Sequence, residues 1–474
     1  MQTTDSEALP ESAATGAGPQ LRRVLGPWNL IALGVGSTLG AGLFSLTGLA
    51  ASEHAGPAVI LAFLFAAIGC GFACLCYAEL ASMIPNSGSA YTYARYIAGP
   101  TFAWIVGWDL VLEYSVSVST VAVSWAGNCD AFLRGFGLHI PQSLMASPFD
   151  KDPGWINLPA VLIIVACSIL LIRGVQGSAR VNAVVTYAKC AVVVLFIALG
   201  IGSIDFANYH PFIPPNTGES GAFGWSGVAR ASGLIFFAYI GFDAVSTAAQ
   251  ESRNPQRDMP IGLLGGLLVC TVLFVAFAAV LVGIVPYTQL KDDAAPIATA
   301  ASMTPYPWLA WVVEATILIG FLAVILVTLY GQSRIFRAMA EDGSLPSWFG
   351  AVHPRFRTPW RADQATMVFS ALMAGFTPLA ELGELTSIGT LLAFVVVCVA
   401  VLVLRRTRPD MPRAFRTPLV PLVPILGILS CGALMVSLDY LSWLRLVVWL
   451  IVGQALWFFY GRHYARSFAA STAP

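Results

Sequence analysis

The sequence predicts an all-α polytopic membrane protein of about twelve transmembrane helices. Three observations carry that reading. Hydrophobic residues make up 57% of the chain and charged residues 11%, where a soluble domain usually carries about 25% charge. The mean hydropathy is +0.75. The apolar residues also fall in runs of roughly 20, the length that crosses a bilayer at a rise of about 1.5 Å per residue. The net charge is zero, so no basic or acidic excess suggests a nucleic-acid partner.

Taken in order, the first six runs lie at about 28–50, 56–84, 101–127, 156–173, 181–202 and 227–250. The second six lie at about 260–284, 310–339, 363–380, 384–404, 419–438 and 443–461. The polar stretch "MQTTDSEALPESAATGAGPQ" lacks a basic n-region and a cleavage site, so residues 1–25 read as a disordered tail. Basic residues set the orientation. With the N-terminus inside, the inner loops hold Arg22, Arg23, Arg95, Arg173, Arg180, Arg253, Arg257, Arg334, Arg337 and the cluster from Arg405 to Arg416. The outer loops hold Arg134, Lys151, Arg230, Lys291 and Arg445. The asymmetry predicts a multi-pass inner-membrane protein with both termini in the cytoplasm.

Helices one to five (28–202) and six to ten (227–404) form two blocks of similar length, followed by two further helices at 419–462. Five is odd, so the second block enters the membrane from the opposite side. That is a five-plus-five inverted repeat, an arrangement whose corresponding helices are interrupted near the midplane. Helix 1 carries the expected interruption: "GVGSTLGAGLF" places Gly34, Gly36, Gly40 and Gly42 within nine residues. Gly36 and Gly40 could serve helix packing as a GxxxG pair, but four glycines exceed what one close crossing needs, and each weakens the helix by about 1 kcal/mol relative to Ala. A phosphate loop is excluded because no Gly-Lys-Ser/Thr follows. Helix 6, "GLIFFAYIGFDAVSTAAQE", shows the weaker sign of Gly241 followed by the intramembrane carboxylate of Asp243. Freed N–H groups at such breaks attract a carboxylate and freed carbonyls attract an ammonium group, which together suit a free amino acid.

Several ordered blocks, "GVGSTLGAGLFSLTG", "FFAYIGFDAVSTAAQESRNPQRDMP", "GQSRIFRAMAEDGSLP" and "RPDMPRAFRTPLVP", resemble the amino acid–polyamine–organocation superfamily. The nearest branch is the bacterial relatives of the cationic amino acid transporters. The resemblance runs from about residue 20 to 462 and implies a leucine-transporter-like fold with discontinuous helices 1 and 6. It implies proton-linked or facilitated amino acid transport. The substrate-binding positions it suggests are Thr38, Leu39, Gly40, Ala41 and Gly42 in helix 1 and Phe237, Ala238 and Ile240 in helix 6, with Glu113 and Phe321 beside them. Ala41 stands where many relatives have Ser or Thr, which leaves backbone N–H groups to hold the substrate carboxylate.

Ionisable residues inside spans are costly and therefore candidates for function. Lys189 lies about eight residues into helix 5, roughly 12 Å from its inner end. In proton-coupled members of the family, a lysine at the matching position occupies the place taken by sodium in sodium-coupled relatives. Asp109 and Glu113 are four apart and share a face of helix 3. Lys189, Asp243 and Asp109 are therefore the proton-coupling candidates, with Lys189 able to pair with either aspartate. A sodium site of this fold wants neighbouring hydroxyls in helix 8, where the sequence offers Thr328 alone, so protons rather than sodium are the expected coupling ion and no cofactor is expected. The aromatic residues Phe236, Phe237, Phe242 and Phe321, with Ile240, favour a small or apolar substrate side chain over an extended cation.

The inner segment "ESRNPQRDMP" offers gating salt bridges, and "RRTRPDMPRAFRTP" offers pairing with anionic lipid headgroups. The nine cysteines show no disulfide framework, and Cys70, Cys74 and Cys76 read as small packing residues rather than metal ligands. No HExxH, GxSxG or clustered His–carboxylate set suggests an enzyme. The expected partners are an amino acid and the lipid bilayer, with room for an accessory membrane subunit. An exchanger or facilitator without proton coupling, or a receptor that binds an amino acid without moving it, would use the same pocket.

Overall fold

The computed structural model describes residues 25–84, 89–174, 179–219, 221–247, 252–291, 293, 295–356 and 358–461, so the expected tail at 1–25 lies outside it except for Leu25, which bridges to Ser252. All the regular elements among these residues are helices. Among the described residues, seven helical stretches are long and apolar enough to cross a membrane, and Leu158–Ile172 and Leu422–Ser437 are shorter apolar helices. The chain is a polytopic membrane protein. Its outer surface carries apolar stripes, such as Leu268 and Val272, Leu429 and Val436, and Leu444 and Ile451, which lipid rather than water would cover.

The first helix, α1 (Pro27–Thr38), starts with Pro27, whose fixed φ suits the first turn. It stops at Leu39, which is extended (ψ 95°), and Gly40 (φ −154°, ψ −149°). Helix then resumes as α2 (Ala41–Phe44) and α3 (Leu46–Ala50). Gly56, at φ 59°, and Pro57 turn the chain into α4 (Val59–Met83). The apolar stretch Leu46–Met83 is 38 residues, about 57 Å if straight and nearly twice the hydrocarbon thickness. Gly56 divides it into the end of the first broken segment and α4.

Next, α5 (Ser89–Arg134) begins well before the expected residue 101. Gly99 (φ 77°) and Pro100 kink it, and residues 89–98 form a helical piece rather than the loop that the sequence suggests. Arg95 sits in that piece and pairs with Asp342 at 2.8 Å, while Tyr91 donates to the same carboxylate at 3.0 Å. The chain continues through α6 (Leu158–Ile172) and α7 (Ala179–Gly200). A second broken segment follows. There α8 (Gly224–Ile235) tightens into a short turn over Phe236–Tyr239, Ile240 is extended, Gly241 takes φ 112°, and α9 (Ala244–Thr247) resumes the helix.

The remainder comprises α10 (Pro255–Ile284), the short loop helix α11 (Pro296–Ser302), α12 (Pro307–Glu341), α13 (Trp360–Phe376), α14 (Leu379–Thr407), α15 (Leu422–Ser437) and α16 (Tyr440–Leu456). The last helix is locked to α5 by paired tryptophans. Trp108 and Trp449 stack at 4.6 Å, and each indole N–H donates to the other's backbone carbonyl at 2.9 Å.

One inner-side expectation is revised in part. In the segment expected to offer gating salt bridges, Asp258 accepts from Ser252 Oγ and the Asn254 N–H at the start of α10, and Glu251 lies outside the described residues. Within the basic stretch, Arg405 and Arg413 are not free for lipid. Arg405 forks onto both oxygens of the buried Glu79 at 2.9 Å, Arg413 reaches the same carboxylate at 3.2 Å, and the Thr417 N–H adds a bond of 2.7 Å. A buried carboxylate so surrounded has its charge fully answered.

Candidate functional site

The two breaks meet in the buried interior. A Cβ placed on Gly42 would lie 2.3 Å from the Ala238 Cα and 2.6 Å from its N and Cβ, so the two backbones touch. On the other side of the crossing, Ser37 Oγ donates to the Gly241 carbonyl at 2.8 Å, and a Cβ on Gly241 would fall 2.9 Å from the Ser37 backbone. Only glycine tolerates this approach at Gly42, and at Gly241 the positive φ demands it as well. The Gly241 N–H donates to Asp243 Oδ1 at 3.2 Å, which steadies the turn.

Lys189 stands at the end of α1. Its Nζ donates to the Gly36 carbonyl at 2.6 Å and to the Leu39 carbonyl at 2.7 Å, and the side chain is 2% exposed. An ammonium group therefore satisfies carbonyls that the break leaves without helical partners, at the negative end of the α1 dipole. Those two carbonyls, rather than Asp243 or Asp109, are its hydrogen-bond partners. Its stem lies across Gly320 of α12, where a Cβ would come within 2.6 Å of Lys189 Cδ. Gly36, in turn, admits the Thr186 side chain.

The remaining predicted residues fall into distinct groups. Thr38 is turned back onto its own helix, with Oγ1 donating to the Gly34 carbonyl at 2.6 Å. Gly40 is the residue before α2 and receives no side-chain cap, and Ala41 is fully buried. Phe237 and Ala238 are buried in the short turn, and Ile240 is half-buried in the extended link. Phe321 packs edge-on to Phe44 at 6.0 Å, in a cluster with Phe277. Phe242 and Phe236 instead contact Phe394 of α14 at 5.2 and 5.4 Å. The aromatic residues expected as one set thus divide, with Phe321 in one cluster and Phe236 and Phe242 in another.

Asp109 and Glu113 are both buried and face α14, where a Cβ on Gly389 would lie 3.3 Å from Asp109 Oδ1 and 4.0 Å from Glu113 Cβ. Glu113 has Thr390 and Asp243 as neighbours, so it belongs to the region of the helix 6 break. Among the described residues, neither oxygen of Asp109 has a hydrogen-bond partner. Three contributors were not singled out from the sequence: Ser37, Thr186 and Gly320. Ser37 lay inside the glycine-rich motif and is a small hydroxyl beside a break, but no local pattern marks the other two, which matter only through residues distant in the chain.

Two discontinuous helices that cross at their breaks, with a buried ammonium on the freed carbonyls and carboxylates nearby, define a membrane transporter of small molecules. The chain belongs to the amino acid permease family, whose profile matches residues 25–463. It is 42% identical to the branched-chain amino acid permease BcaP of Bacillus subtilis (strain 168), over 96% of each chain. It is 40% identical to the methylthioribose transporter of the same organism, over 94% of this chain and 95% of that one. It is 38% identical to the vacuolar cationic amino acid transporter 4 of Arabidopsis thaliana, over 82% of this chain and 64% of the relative. These relatives are permeases and transporters, and the chain is a transporter rather than an enzyme.

Proposed function

We propose that the protein imports L-amino acids with aliphatic side chains across the cytoplasmic membrane together with protons, by alternating access. Branched-chain amino acids head the substrate range, in line with the name of the 42% identical relative. The architecture in this reading has twelve spans. Residues 28–202 and 227–404 are the inverted repeats, α15 and α16 are additional, and both termini are cytoplasmic.

The carrying observation is the Lys189 ammonium on the Gly36 and Leu39 carbonyls, at the point where the two broken helices touch. With its proton, Lys189 complements the negative end of α1 through charge-assisted hydrogen bonds, which are about twice as strong as neutral ones. Without it, that hold weakens and α1 is freer to move against α7 and α12. Proton loss on one side of the membrane and gain on the other would then bias which face is open. The substrate carboxylate is assigned to backbone N–H groups of the Gly40–Gly42 segment, and the ammonium to carbonyls of the Phe237–Ile240 segment. Phe237 and Ile240 supply an apolar wall, which suits an aliphatic side chain better than the hydroxyls of a thiosugar.

Uptake into proteoliposomes tests this reading, with leucine, alanine, arginine and methylthioribose offered with and without an inward proton gradient. Gradient-stimulated accumulation of leucine above arginine and methylthioribose is the expected result. Uptake indifferent to the gradient would make the protein an exchanger or facilitator. Binding without time-dependent accumulation would make it a receptor.

A further inference from the structure

On the side that the orientation above assigns to the cytoplasm, a cleft of about 660 Å³ opens between the first turns of α10 and the segment at Ala414 and Phe415. Its floor is largely apolar, formed by Pro260, Ile261, Leu264 and Phe415, and Gln256 and Arg257 stand at its polar end. We propose that this cleft binds one anionic phospholipid of the inner leaflet, with its phosphate on Arg257 and an acyl chain along α10.

Charge comes first. Arg257 is exposed and, among the described residues, forms no ion pair. Arg253 and Arg416, also exposed, adjoin lining residues in sequence and raise the positive charge. The nearest acid in sequence, Asp258, is buried and turned onto Ser252 and Asn254, so it does not neutralise the site. Asp410 lies on the same loop but does not line the cleft. A basic pocket at the cytoplasmic boundary of a membrane helix suits an acidic lipid headgroup.

Shape gives the second argument. Ile261, Leu264, Leu268 and Val272 follow one another at spacings of three and four, so they form one stripe along α10. Leu268 and Val272 are 66% and 61% exposed and continue the apolar floor outside the cleft. From Ile261 to Val272 the helix rises about 16 Å, close to half the roughly 30 Å hydrocarbon core, which is the reach of one acyl chain. A soluble phosphate would use the polar end alone.

The far wall is also fixed. Arg413 and Thr417 bind Glu79, and the Phe415 N–H donates to Ser82 Oγ, so the segment bearing Ala414 and Phe415 is anchored to α4. Beside the cleft, Gly262 and Gly265 of α10 receive Leu30 and Ile31 of α1, and Gly265 also lines the cleft. A lipid here would thus brace the helix against which α1 moves.

The leaflet assignment rests on the orientation proposed above, but binding can be measured without transport. Native mass spectrometry of the full chain would be titrated with phosphatidylglycerol, phosphatidylcholine and glycerol 3-phosphate. The wild type should retain one phosphatidylglycerol in preference to phosphatidylcholine. Arg257→Gln should weaken that site about fivefold, as expected for one basic residue near a lipid surface. Ala414→Trp, which fills the cleft without altering charge, should weaken it at least as much. Equal retention of both lipids, or phosphatidylglycerol binding unchanged in both variants, would overturn the proposal. A glycerol 3-phosphate adduct as tight as the lipid would also overturn it, in favour of a soluble phosphate.

Discussion

Replacing Gly42 by alanine places a methyl carbon 2.3 Å from the Ala238 Cα and 2.6 Å from the Ala238 nitrogen and Cβ. Ordinary contact at such a carbon begins near 3.4 Å, so the two segments must separate by about 1 Å. No flexible side chain can yield, because the obstructing atoms are backbone and a methyl group. Overpacking of this kind costs about 1–3 kcal/mol. A displacement of about 1 Å at a site built on fixed geometry lowers its rate by about a hundredfold. Gly71→Ala, in α4 and away from the crossing, is the internal control. Its Cβ would meet nothing within 4 Å. The two glycine variants therefore have opposite expected outcomes. Initial leucine uptake into proteoliposomes, with thermal unfolding in detergent, measures both. Similar losses in the two variants, or Gly42→Ala at wild-type activity, would refute the backbone crossing as the source of constraint.

Gly320→Ala pushes against the Lys189 stem at Cδ. The stem can move, so the unfolding temperature should hold while gradient-driven accumulation falls about tenfold, equivalent to about 1.4 kcal/mol. Glu79→Ala strands the guanidinium groups of Arg405 and Arg413 and removes the acceptor of the Thr417 N–H. It should cost about 3–5 kcal/mol, read as lost thermal stability, with Glu79→Gln costing less because an acceptor remains. Asp109→Asn removes a buried carboxylate whose oxygens have no partner among the described residues, so thermal stability should hold or rise. A marked fall would show that the carboxylate has a stabilising partner.

The break in helix 1 was legible because four glycines in nine residues are a local signal. The helix 6 break was fainter, since Gly241 alone carries it, and its conformational demand, φ 112°, is a property of the backbone rather than of composition. Intramembrane charge marked Lys189, yet the residues it meets could not be read. Gly36 and Leu39 accept through main-chain carbonyls, which every residue possesses. The helical piece before Gly99 reads as a loop in the sequence because polar residues and the Gly-Pro pair mask a segment that buries Tyr91 and Tyr93. Glu79 is a charge inside the predicted span 56–84, but nothing local names what answers it. Its partners are more than 300 positions away, and sequence spacing says nothing about contacts at that range.

The most direct test concerns the charge on Lys189. Leucine accumulation under an inward proton gradient should be compared for wild type and Lys189→Gln, together with leucine counterflow without a gradient. Gln retains donors for the α1 carbonyls but removes the charge. Loss of gradient-driven accumulation with counterflow preserved is the predicted result. Equal accumulation in both proteins would contradict a coupling role for Lys189.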